Sequence, residues 1–139
     1  MIRIKLIQTL FQPLVVKTDD GNVYLRRYHL LRTRWIQIYV HNLCSSDLDT
    51  DLHDHPWSFV SIILAGGYTE YTPEGVFQRR ARQILFRPVG SPHRLELSRP
   101  AWTLVITGKV QREWGFVTPS GWQSWQEHAL AKEALKQKV

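Results

Sequence analysis

Three histidines are the residues of this chain best suited to chemistry: His53 and His55, two apart, and His93 further along. On an extended strand, side chains two apart project to one side, so both imidazoles of the pair can reach one point. His93 follows the turn-forming stretch Pro88-Val89-Gly90-Ser91-Pro92 and opens a later segment, from which a facing strand could deliver a third imidazole. Neutral imidazole is the commonest ligand for Zn, Fe, Ni and Cu. A His-x-His pair also occurs as a surface or hydrogen-bonded feature. Here it is followed by Pro56, Trp57 and an apolar run, poor company for imidazoles without partners. Asp54, between the two, is expected to point outward.

Three protein ligands leave at least one coordination position open, which is what a catalytic metal needs and a structural one lacks. On Zn(II), such a site acidifies bound water toward a pKa of about 7. On Fe(II), it leaves room for an anionic chelating substrate and O2. Carboxylates that could complete or support the site are Asp51, Glu70 and Glu96, each a better fit to a supporting or surface role than to a ligand.

Other residues are candidates for handling a substrate. Trp35 to Leu43 alternates, with Ile36, Ile38 and Val40 on one face and Gln37, Tyr39 and His41 on the other. The apolar face is the more natural core filler and is expected to point inward. If the polar face does so instead, Tyr39 and His41 become acid–base or substrate-orienting candidates. Arg82 and Arg87 are candidates for clamping an anion, against the plainer alternative of exposed arginines on a strand. Trp57 and Phe59, with Trp102 and Trp114, are candidates for the wall of an apolar pocket or for core packing. Cys44 has no activating neighbours and reads as a small buried hydrophobe.

The elements that must carry these residues are short strands punctuated by Gly and Pro. Val23 to Leu25 suits a short strand, His53 to Leu64 one long strand, and Gly66-Gly67 a hairpin turn. Tyr68 to Thr72, Arg82 to Arg87, His93 to Leu97, Trp102 to Thr107 and Trp114 to Thr118 follow as strands. Such a pattern predicts an all-β sandwich or barrel, with a core over about 23–118. Residues from about 123 to 138 lack Gly and Pro and favour a short C-terminal helix. No linker divides residues 1–139, so one domain is expected.

Two motifs resemble those of the cupin superfamily. Its first motif is Gly, five residues, His-x-His, three or four residues, Glu, six residues, Gly. Here His53, His55 and Gly66 are in register, with Asp47 at the first Gly and Phe59 at the Glu. Its second motif is Gly, five residues, Pro-x-Gly, two residues, His, three residues, Asn. Here Pro88, Gly90 and His93 fit, with Arg82 at the Gly and Leu97 at the Asn. The resemblance implies a double-stranded β-helix, or jelly roll, over at least residues 47–97, with one divalent metal ion. Loss of the usual carboxylate ligand leaves a three-His set, as in thiol dioxygenases and some diketone-cleaving cupins. Fe2+ is the preferred ion on that likeness, with Zn2+, Ni2+ or Mn2+ as alternatives. The expectation is a dioxygenase-like oxidoreductase. The alternatives are a Zn- or Ni-dependent isomerase or lyase, and a metal-stabilised binding protein without turnover.

Composition sets the outer limits. The 139 residues are 43% hydrophobic, 22% charged and 12% aromatic, ordinary for a soluble globular chain apart from the six Trp. A net charge of +6 favours an anionic small-molecule partner. The basic residues are scattered with no run of five, which argues against nucleic acid. No apolar stretch reaches membrane-spanning length, and Ile2 to Gln8 is interrupted by charges, unlike a signal peptide. A single cysteine gives no internal disulfide, so a cytoplasmic setting is expected. The aromatic residues and the aliphatic N-terminal segment leave room for a homodimer. No phosphate loop, nucleophile elbow or Cys-x-x-Cys pair is present.

Overall fold

The computed structural model describes residues 12–138, so the reading of Ile2 to Gln8 lies outside it. Among the described residues, twelve strands and one helix follow in order: β1 (Leu14–Lys17), β2 (Val23–Arg32), β3 (Gln37–Leu43), β4 (Leu52–His53), β5 (Phe59–Ala65), β6 (Gly67–Thr72), β7 (Gly75–Arg80), β8 (Ile84–Arg87), β9 (Arg94–Glu96), β10 (Ala101–Thr107), β11 (Gly115–Thr118), β12 (Gly121–Ser124) and α1 (Trp125–Lys136). The fold is mostly β, as the punctuated strands predict.

The strands form two layers. One is a six-stranded antiparallel sheet in the order β1-β2-β3-β10-β5-β8. The other consists of β12-β11-β4 and β7-β6-β9, joined where His53 and His93 form an antiparallel bridge. That bridge has both of its backbone bonds, His53 N–H to His93 C=O at 2.9 Å and the reverse at 2.8 Å. The layers face one another as a jelly roll whose sheets stay open at their edges.

The register of the six-stranded sheet decides what faces inward. Arg27 pairs with His41 and His41 with Thr103, while His29 pairs with Tyr39 and Tyr39 with Val105. Leu25, Leu43 and Ala101 form the next row, and with Ile63 and Tyr68 they fill a buried cluster. Tyr39, Phe59 and Val105, backed by Trp57, form a second. The expected orientation of β3 is therefore reversed. Tyr39 is 3% exposed, whereas Ile36 is 47% exposed. Alternation reveals two faces of a strand, but the facing sheet decides which one is covered.

The expected single strand from His53 to Leu64 is broken. β4 belongs to the second layer and β5 to the first, and the chain crosses between them at residues 54–58. Pro56 has no N–H for a sheet ladder, which suits it to the crossing. Backbone bonds tie the corner down: Gly90 N–H to His55 C=O at 3.3 Å, Gln111 N–H to Pro56 C=O at 2.8 Å, and Gly108 N–H to Ser58 C=O at 2.9 Å. The next strand of the sheet begins at Ile84 rather than Arg82. Arg82 sits in the preceding turn with φ 75°, outside the range of a strand. Gly66 must be glycine, since φ is +75° and a Cβ there would lie 2.8 Å from the Pro100 carbonyl oxygen.

The helix starts later than the composition suggests, because residues 121–124 pair with β11 as a hairpin. Ser124 caps it in a reciprocal box with Glu127: Ser124 Oγ accepts from Glu127 N–H at 3.2 Å, and Glu127 Oε2 accepts from Ser124 N–H at 3.0 Å. Such a cap contributes about 1 kcal/mol. His128 is the buried residue of the helix. No helix among the described residues is long and apolar enough to cross a membrane.

Candidate metal centre and cavity

The corner at Pro56 and the turn before His93 bring the three histidines together. His53 ends β4, His55 lies in the corner two residues on, and His93 precedes β9 opposite His53. Gly90, with φ +78°, closes the turn that sets His93 in place. One ring nitrogen from each histidine lies within 4.8 Å of the others. The His55 and His93 Nε2 atoms are 3.1 Å apart, and ring centroids are 4.9 to 5.2 Å apart.

The surroundings keep the imidazoles of His53 and His55 neutral. Burial, then the neighbouring His93, pushes His53 down to about 4. Burial together with His53 and His93 places His55 well below the usual histidine range. His93 Nδ1 lies 2.9 Å from Glu70 Oε1. A carboxylate only accepts, so Nδ1 carries the proton and Nε2 presents a lone pair to His55. At 3.1 Å either the Nε2–H tautomer of a neutral His55 donates to that lone pair, or a metal ion takes the lone pairs of both rings. The donor set therefore fits a divalent transition metal.

Charged residues behind the imidazoles hold them in place. Glu70, 1% exposed, accepts from His93, from Arg79 Nε at 2.7 Å and from Arg87. Burial alone would raise its pKa, but these three hydrogen bonds prevail and hold it at about 2. Asp47 Oδ2 lies 3.6 Å from His53 Nδ1 and accepts from Leu95 N–H at 2.7 Å; the Tyr24 hydroxyl donates to its other oxygen. Carboxylates set against the far nitrogen of a ligating imidazole fix its tautomer and raise its basicity. Phe59 stands where a fourth ligand is usual in the motif, its ring 4.9 Å from that of His55.

The imidazoles line a cavity of about 680 Å³ between the sheets. Tyr39, His41, Trp57, Phe59, Arg87 and Trp114 line it as well, and so does Arg27, which the sequence did not single out. Tyr39 and His41 lie side by side, 4.6 Å between centroids. Burial raises the Tyr39 hydroxyl, so it keeps its proton. Burial, with Arg27 next, lowers His41 to about 3. Arg27 Nε donates to His41 Nε2 at 2.8 Å, which places the proton of the neutral ring on Nδ1.

Other sequence candidates lie elsewhere. Arg82 is exposed in its turn and does not line the cavity. Trp102 is on the outer face, 39% exposed and stacked with Tyr28. Glu96 is at the surface beside Arg94. Asp51 is engaged with His128 at 3.2 Å. Cys44 is half-buried beside Asn42 and Arg26. Asp54 is not solvated as expected: it is 1% exposed, accepting from Gly115 N–H at 2.7 Å and Trp122 Nε1–H at 2.9 Å. Its short side chain turns into the β11–β12 hairpin, so alternation directs it away from the imidazoles without taking it to water.

Comparison with solved structures places this architecture. It is similar to a cupin-2 domain protein from Rhodospirillum rubrum, with TM-score 0.64 and 13% identity over 88% of this chain and 81% of that one. It is similar to the polyketide cyclase RemF from Streptomyces resistomycificus, with TM-score 0.60 and 14% identity over 78% and 79% of the two chains. A structure of FeII HppE matches with TM-score 0.58 and 15% identity over 70% of this chain and 57% of that one. No protein-family model matches the sequence. No curated protein matches it either.

The chain has the cupin fold.

Proposed function

We propose that this cupin is a mononuclear metal-dependent enzyme of the dioxygenase-like kind, with Fe(II) held by His53, His55 and His93 and a small anionic substrate in the adjoining cavity. The observation that carries this reading is the convergence of three imidazoles on one point in the wall of a cavity large enough for a small molecule. An Fe(II) ion there would supply the electrons and open coordination positions that activation of dioxygen requires. One neighbour of this fold, HppE, has been solved in an FeII form, which supports the choice of ion.

The remaining roles belong to the protein. Glu70 keeps the His93 proton on Nδ1, and Asp47 faces the same atom of His53. Phe59 and Trp57 line the space beside His55 with apolar surface and limit water there. Tyr39, with its proton retained, and His41, with its proton on Nδ1, offer hydrogen bonds that orient a bound anion.

A second reading is kept because three imidazoles suit Zn(II) and Ni(II) as well. The neighbours include a polyketide cyclase and DMSP lyases, and a shared fold does not choose among such chemistries. Elemental analysis of untagged protein, then anaerobic Fe(II) reconstitution and O2 uptake over a panel of small carboxylates, tests the proposal. The expected result is about one Fe per chain and substrate-dependent uptake. One Zn or Ni per chain with no uptake replaces the oxygenase with isomerising, lytic or pure binding roles.

A further inference from the structure

We infer that Arg27 is the anion-binding residue of the cavity and that the ligand is a small carboxylate with an apolar body. This deepens the reading of the cavity as a substrate site and rests on it.

The argument begins with charge balance. Of the four cations lining the cavity, Lys17 is exposed on β1, and Arg87 and Lys132 already have a carboxylate. Arg87 shares Glu70 with Arg79, and Lys132 pairs with Asp49 at 2.7 Å. Arg27 differs. It projects from the inner face of β2, half-buried, and no carboxylate pairs with it among the described residues. A guanidinium withdrawn from water without a counter-ion is costly unless something compensates it.

Its geometry is nevertheless fixed. Nε is committed to His41 Nε2 at 2.8 Å, and the guanidinium carbon sits 4.5 Å above the centre of the Tyr39 ring. The Nε bond and the aromatic face hold the planar group in one orientation. They leave the Nη1 and Nη2 donors, whose end-on fork matches the two oxygens of a carboxylate. His41 acts as a positioning residue, since it accepts the Nε proton.

The rest of the cavity describes the body of the ligand. Its walls include Leu25, Leu43, Trp57, Phe59, Leu85 and Val105. An apolar group packs against such a surface, and a highly polar one would lose hydration there without replacement. The carboxylates facing the same space, Asp47 and Glu70, already accept hydrogen bonds and repel a polyanion. One carboxylate on an apolar frame satisfies both constraints.

The test uses metal-free full-length protein titrated with benzoate, with benzamide as the neutral isostere, followed by thermal shift and tryptophan fluorescence. Wild type is expected to bind benzoate about tenfold or more tighter than benzamide, with affinity falling as salt is raised. Arg27→Met should lose that preference, and Arg27→Lys, which keeps the charge without the fork, should retain part of it. Equal binding of the two probes by wild type, no benzoate binding, or unchanged benzoate affinity in Arg27→Met each overturns the inference. If Arg27→Met does not fold by circular dichroism, the Arg27→Lys and wild-type amide comparisons decide. Metal content measured in parallel separates the two readings. Arg27-dependent carboxylate binding in a protein that takes up no metal would remove the metalloenzyme alone, and metal uptake without carboxylate binding would remove the role of Arg27 alone.

Discussion

Two clusters in this molecule each bring three metal-ligating side chains within reach of one point: His53, His55 and His93 in the cavity, and Asp49, Asp51 and His128 beneath the helix. Their surroundings are opposite. The first is all imidazole, with burial keeping His53 and His55 neutral and, among the described residues, no lysine or arginine between the rings. The second already contains a cation. Lys132 Nζ lies 2.7 Å from Asp49 Oδ2, and His128 Nε2 faces both carboxylates at 3.2 and 3.6 Å. The His128 ring is stacked on Phe116, 3.8 Å between centroids, which seats the helix against β11. A count of ligand atoms does not separate the two clusters; charge balance does. The helix cluster has its own cation in Lys132 and serves to dock α1, whereas among the described residues no lysine or arginine hydrogen-bonds to the three cavity imidazoles.

The sharpest way to break that contrast is substitution in each cluster. His53→Ala, His55→Ala and His93→Ala should each abolish stoichiometric metal in elemental analysis, while His128→Gln and Asp51→Asn keep it. Metal retained in the first set and lost in the second would invert the assignment.

Glu70→Gln is next in size. It keeps the shape but removes the charge that fixes His93 and pairs with Arg79 and Arg87. Metal affinity should fall about 10- to 100-fold in a competition titration. Breaking a buried ion network in this way costs about 3–5 kcal/mol, read as a lower denaturation midpoint.

A smaller effect concerns pH. The folded-state pKa of His41 lies near 3 against an ordinary 6.5. Between those values the unfolded chain binds a proton that the native state refuses. Stability from this group is therefore complete above about pH 6.5 and lost as pH falls toward 3. Thermal unfolding of metal-free protein should show Tm declining from pH 7 to 5, and His41→Asn should make the slope shallower. An unchanged slope would show that His41 titrates normally.

The smallest effect is expected from Lys132→Met. Its side chain is 52% exposed, and an ion pair at such a site contributes about 0.2–1 kcal/mol. Tm should drop slightly, with metal content unchanged.

What the sequence reveals follows from how each feature is encoded. Imidazole spacing and the Pro88–Gly90 turn are local patterns, and one ring nitrogen from each of the three histidines lies within 4.8 Å of the others. The crossing at Pro56 was hidden, because an apolar run after His55 looks alike whether it continues a strand or begins one in the other sheet. The inward face of β3 depended on its partners: Arg27, Thr103 and Val105 lie beside its polar side chains only once β2 and β10 are in register. Arg82 resembled a strand residue, but a left-handed turn is seldom signalled by arginine. Asp47 is six residues before His53 and Arg27 further still, and nothing local marks either as a neighbour of the site. Glu70 is legible as a nearby carboxylate, yet its burial between two arginines is a property of the sheet.

The measurement that tests the central claim most directly is elemental analysis of wild-type protein and His93→Ala, both untagged and reconstituted side by side with Fe(II). The account predicts about one ion per chain in wild type and none in the variant. Equal metal in the two proteins, or none in either, would contradict it.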